Sequence, residues 1–222
     1  MKGRRVATSA LVIALLSLTG CGKVVAGQAT WPGAALENVM LTAADFPPGV
    51  QYNRVIDAPG GPEGGTRPPA MQSSPQGCSD GLTKLISDSA DHGPGAAAEF
   101  VAAYNGARMV VTVLTSMLPL ERLEAAADRC KEFRTFFDPS DAGIPITTTR
   151  LNSERASALV YRQTMRLNGQ HNSVYFAFEN VGTWAVFGIA FPTQDSSIRI
   201  KGTLPQTFLD TFGKQAQRMQ GR

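Results

Sequence analysis

Histidine is nearly missing from this chain: among 222 residues only His92 and His171 carry an imidazole. That excludes a His-rich metal site and leaves little material for general acid–base chemistry. The sequence holds no Gly-x-Ser-x-Gly elbow, no Ser-x-x-Lys, no His-Glu-x-x-His and no Asp-rich calcium loop. His92 lies in an Asp-His-Gly-Pro stretch and His171 beside Asn168-Gly169, both surface settings. Gly60, Gly61, Gly64 and Gly65 lack the Lys-Ser/Thr ending and the strand-to-helix setting of a phosphate loop. The expectation is a non-enzyme with no metal and no cofactor. A secreted hydrolase stands third among the readings, and it would need the fold to bring His92 or His171 to a serine.

Long apolar runs are equally scarce. The longest, Val6 to Leu18, is thirteen uncharged residues, short of the about 20 that a bilayer span needs. Lys2, Arg4 and Arg5 precede it and Leu18-Thr19-Gly20-Cys21 follows. A cationic head, a short apolar stretch and small residues before a cut make a secretory signal. The thiol after Gly20 resembles a bacterial lipobox. Residues 1–20 are therefore expected to be a signal peptide, with export by the Sec or the twin-arginine route left open. Cys21 is expected to carry lipid (diacylglycerol and palmitate), which anchors the chain on the extracytoplasmic face of the cell membrane. Two acyl chains anchor stably where one does not.

A basic excess is also absent once that segment is removed. The chain has 21 Lys+Arg against 18 Asp+Glu, and losing Lys2, Arg4 and Arg5 leaves 18 against 18. The basic balance belongs to the discarded piece, so nucleic acid is not an expected partner. Cysteine is sparse too. With Cys21 given to lipid, Cys78 and Cys130 form an even pair in an oxidising compartment and are expected to be bonded.

What is present reads as one domain of α+β class, residues 38–222, after a lipidated tether over 21–37 that lacks periodicity. Asp57 to Gly77 holds five prolines and five glycines in 21 residues and is expected to be a loop, mobile lid or disordered. Strands are expected at Val50–Ile56, Glu99–Tyr104, Arg108–Met117, Ile144–Leu151, Ala158–Leu167, Ser173–Asn180 and Thr183–Phe191. Asn105-Gly106 turns the first hairpin. Helices are expected at Cys78–Ser89, Pro119–Phe137 and Leu204–Met219 from apolar residues three and four apart. The order β-α-ββ-α-ββββ-α favours an antiparallel sheet with packed helices.

Two features bear on binding. Val174 to Phe178 and Trp184 to Phe191 are apolar at successive positions, so both faces should be shielded from water. Either helices cover them, or one face lines a pocket for a lipid-like ligand. Arg162 and Arg166 share one strand face. With Tyr175 or Trp184 they could hold an anionic or glycosylated head group, against the plainer reading of a solvated strand face.

The lipobox, the tether, the opening Leu41-Thr-Ala-Ala-Asp-Phe-Pro-Pro-Gly49, a Cys before a short helix and a second Cys in a longer one resemble mycobacterial envelope lipoproteins. The plan is similar to the extracellular sensor domain of certain mycobacterial serine/threonine kinases, and more loosely to PsbP-like folds, over roughly residues 38–220. Those sensor domains commonly carry two disulfides, whereas this chain can make one. The resemblance implies a non-enzymatic envelope module that binds or senses a lipid or glycolipid, or scaffolds a protein partner of the envelope.

Overall fold

The computed structural model describes residues 33–55, 71–89, 93, 95–138, 140, 142–167 and 169–221. The signal segment, Cys21, His92, Asn168 and most of the 57–77 loop lie outside the described residues. Among those described, nine strands form one antiparallel sheet and four helices pack on it, an α+β domain. The strands are β1 (Gln51–Val55), β2 (Gln72–Ser74), β3 (Ala97–Tyr104), β4 (Ala107–Leu114), β5 (Glu132–Phe136), β6 (Ile144–Arg150), β7 (Leu159–Leu167), β8 (Gln170–Val181) and β9 (Trp184–Phe191). The helices are α1 (Ala34–Glu37), α2 (Gly81–Ser89), α3 (Leu120–Arg129) and α4 (Gln206–Gln220). Across the sheet the order is β1-β3-β4-β9-β8-β7-β6-β5-β2.

Tight turns set the register. Tyr104 pairs with Ala107, so Asn105-Gly106 is a two-residue turn. Gly106 has φ +110, and a Cβ there would stand 2.4 Å from the Gly202 carbonyl oxygen. Only glycine fits.

Both faces of the central strands are covered by helices, which answers the question raised by the unbroken apolar runs. Along β8, Ala177 faces α4, where Phe208, Phe212, Ala216 and Met219 are buried with Val111, Val186 and Ala190. Its neighbours Phe176 and Phe178 face the other way, against Leu82 and Ile86 of α2 and Leu123 and Ala127 of α3. Each fully buried Phe contributes roughly 1.5–3 kcal/mol. α4 can approach this closely because position 188 lacks a side chain. A Cβ there would come within 2.7 Å of the Phe208 ring.

Three expectations need correction. The long helix does not reach Phe137: α3 ends at Arg129, and Glu132–Phe136 is strand β5, with Phe133 and Thr135 buried and Glu132 and Arg134 exposed. Phe133 continued the helical spacing by coincidence, lying three residues after Cys130, whereas burial from Glu132 to Thr135 alternates as in a strand. The Pro/Gly-rich segment is not all loop, since Gln72–Ser74 forms edge strand β2 on β5. The stretch expected as a tether over 21–37 is not all free chain: Ala34–Glu37 is a helical turn and Leu36 is fully buried, while residues 21–32 lie outside the described residues.

The opening motif is a clasp. The Asp45 carboxylate accepts from the Thr42 amide and hydroxyl at 2.7 and 3.0 Å and from both terminal nitrogens of Arg218 at 2.9 and 2.5 Å. Phe46 packs with Tyr52 and Phe100, and the Tyr52 hydroxyl donates to the Leu41 carbonyl at 2.7 Å. Gln215 of α4, fully buried, accepts from the Leu41 amide at 3.0 Å and donates to the Val39 carbonyl at 2.8 Å. These bonds satisfy backbone groups that would otherwise be buried without partners.

Candidate functional site

Cys78 and Cys130 are disulfide-bonded, as their parity suggested. The bridge joins the approach to α2 with the C-terminal cap of α3, and both sulfurs are buried beside Phe133. It closes a separation of 52 residues, worth about 4 kcal/mol in the chain-entropy picture. Its burial makes it a structural staple.

The pairing of β7 with β8 brings most of the suggested binding residues together. Arg162 stands directly across from Tyr175, Thr164 from Ser173, and Arg166 from His171. Being two apart on each strand, these six side chains share one sheet face. Thr147 and Thr149 of β6 extend it, opposite Thr164 and Arg162. This end of the face is exposed at Thr147, Thr149, Arg166 and His171, and half-buried at Arg162, Thr164 and Ser173. The Thr164 and Ser173 hydroxyls lie 3.1 Å apart. Neither Arg162 nor Arg166 forms an ion pair with a described residue. The Nε of Arg162 is buried with no hydrogen-bond partner. A guanidinium left this way is a donor waiting for an acceptor.

Trp184 does not join this group. It pairs with Val181, six residues along β8 from Tyr175 and therefore about 20 Å away. It shares the face but packs on the α4 core.

Charge elsewhere is spent on the fold. Glu179, with its side chain 1% exposed, receives two guanidinium bonds from Arg155 at 2.6 Å and one from the Ser157 hydroxyl at 2.7 Å. The carboxylate's bonds, and then its charge, raise the Arg155 pKa against the opposing effect of burial. Sequence reading missed this pair, because Glu179 sits in an otherwise apolar strand and its partner lies 24 residues upstream.

A second concavity lies on the opposite side of the sheet. Ala127, Asp128 and Lys131 at the end of α3 face Thr148, Thr149, Arg150 and Tyr161 across a cleft of about 290 Å³. Tyr161 is 2% exposed, and its hydroxyl makes no hydrogen bond of good geometry, only a weak one with the Arg150 guanidinium beside it. Burial pushes its pKa up, partly offset by the nearby Arg150 charge.

No protein-family model matches this chain, and no curated protein matches it. A solved structure of an uncharacterised protein from Mycobacterium smegmatis is similar at a TM-score of 0.48 and 14% identity, over 85% of this chain and 95% of that one.

Proposed function

We propose that this chain is a non-enzymatic binding module of the cell envelope, anchored by lipid on Cys21, that takes an anionic head group on the Arg162–Arg166 sheet face. The observation that carries the reading is the pair of arginines without carboxylate partners among the described residues, one of them with an orphaned Nε, on a partly exposed face of hydroxyl-bearing residues. Forked donors of this kind suit phosphate and carboxylate oxygens. The packed faces of β8 and β9 favour a ligand held at the surface over one held inside. Leu18-Thr19-Gly20-Cys21 remains the support for lipidation and for an extracytoplasmic, membrane-bound location.

Vesicle sedimentation tests the head-group half. The mature chain with Cys21→Ser should bind phosphatidylglycerol vesicles and not phosphatidylcholine vesicles. Removing both arginines (Arg162→Gln with Arg166→Gln) should weaken this by roughly tenfold or more, at about 1 kcal/mol per charge. Equal binding to both lipids, or no effect of the double change, would sink the site. The anchor is tested separately: full-length Cys21→Ala recovered from the membrane fraction as completely as the parent would remove the lipid.

A second reading is an envelope scaffold that meets a protein partner through the same face. Its support is the same partly exposed sheet surface over a filled core. Crosslinking in cells from position 164 that recovers one recurring protein would favour it over the head group.

A further inference from the structure

We infer that the cleft between the end of α3 and strands β6 and β7 binds a small, net-neutral polyhydroxylated molecule, a sugar ring or polyol, with Tyr161 as its floor. This site is on the other side of the sheet from Arg162 and does not depend on that reading. Three observations carry it.

The first is the floor itself. Tyr161 is 2% exposed, and its buried hydroxyl lacks a hydrogen bond of good geometry, with only a weak one from Arg150, although buried hydroxyls are ordinarily well bonded. Its direct cross-strand neighbour is Arg150, whose half-exposed guanidinium is tied to the half-exposed carboxylate of Glu124. An exposed pair of this kind is weak, so Arg150 can swing aside and open the hydroxyl to a ligand at little cost.

The second is charge. Lys131 and Arg150 bring two positive groups, and Asp128 and Glu124 bring two negative ones. Lys131 and Asp128 form no ion pair with a described residue. A net-charged ligand would meet attraction and repulsion in equal measure here. A neutral one would not.

The third is the kind of polar group. The Lys131 ammonium only donates and the Asp128 carboxylate only accepts, while the hydroxyls of Tyr161 and Thr148 do both. Thr148 already accepts from the Gln163 side chain at 3.3 Å, which leaves its own proton to give. Vicinal alcohols, each donor and acceptor at once, use such a mixed set fully; a carboxylate or an amine uses half of it. A cleft of about 290 Å³ is at the small end for ligand sites, which limits the occupant to about one ring.

Saturation-transfer NMR on the mature chain with Cys21→Ser tests this, with methyl α-D-glucopyranoside and glycerol as probes and inorganic phosphate as the charged control. Transfer to at least one of the two alcohols is expected, with none competed by phosphate. Tyr161→Phe should weaken it about tenfold, the loss of one hydrogen bond, and Asp128→Asn should weaken it as well. Because the hydroxyl's one bond is a weak contact with the half-exposed Arg150 guanidinium, Tyr161→Phe should melt close to the parent. Transfer to neither alcohol overturns the proposal, as does displacement by phosphate or transfer unchanged in Tyr161→Phe. So does a markedly lower melting temperature for Tyr161→Phe, which would show that the hydroxyl serves the fold.

Discussion

Breaking the Arg155–Glu179 pair from one side should cost far more than deleting it from both. Glu179 sits on the α4 face of β8, 1% exposed, and three short bonds from Arg155 and Ser157 hold its charge. Arg155→Met keeps the aliphatic stem, which passes 3.7 Å from where a side chain on Gly213 would begin, and removes two of the three bonds. A buried charge stripped of its partner typically costs 3–5 kcal/mol. The lower end, about 3 kcal/mol, applies here because Ser157 remains and the Arg155 end is 22% exposed. For a domain of this size that lowers the melting temperature by about 6–12 °C. Arg155→Met combined with Glu179→Leu removes the charge as well as its partner, so most of the loss should be recovered. Urea unfolding at neutral pH without reductant measures both variants. A single change costing under about 1 kcal/mol, the range of an exposed pair, would refute the reasoning, and so would a double variant as unstable as the single.

Two further expectations follow from the same packing. For Asp45, burial favours the neutral acid, but bonds from Thr42 and Arg218 outweigh it and hold the pKa below its ordinary 3.8. The stability this group adds is thus fully present above pH 3.8 and lost as pH falls through the lower folded value; Asp45→Asn should melt lower at neutral pH and show a flatter acid limb in melting scans. Gly188→Ala puts a methyl within 2.7 Å of Phe208 and should destabilise by about 1–3 kcal/mol in urea titration; an unchanged midpoint would mean that α4 yields freely.

The elements that local pattern reveals are those whose partners are near in sequence. The hairpin at Asn105-Gly106 and the pairs β7–β8 and β8–β9 carry both their apolar runs and their turns within a few residues. Strand β2 could not be read this way. Gln72-Ser-Ser is polar, sits among prolines, and is a strand only because β5 lies beside it some sixty residues later. The end of α3 was obscured because Cys130 and Phe133 satisfy a helical step, although Glu-Phe-Arg-Thr-Phe also alternates. The site was legible in part. One strand spacing placed Arg162 with Arg166; the sheet then set the candidate Tyr175 across from Arg162 and added His171. Trp184 could be placed only once the β8–β9 register was known. Tyr161 gave no signal, since a tyrosine in an apolar strand reads as core until its hydroxyl is seen to be buried with no more than a weak bond from Arg150.

Gln215 ties the two ends of the chain together across a separation of 174 residues. A polypeptide threaded through a membrane pore, amino end first, would carry its opening segment into the new compartment long before the residue that completes it arrives. Until then the amide of Leu41 has only water to bind. Assembly of the segment around Leu41 would on such a route be timed by the delivery of α4, and a protease that trims α4 would loosen the side of the domain by which the molecule is proposed to hang.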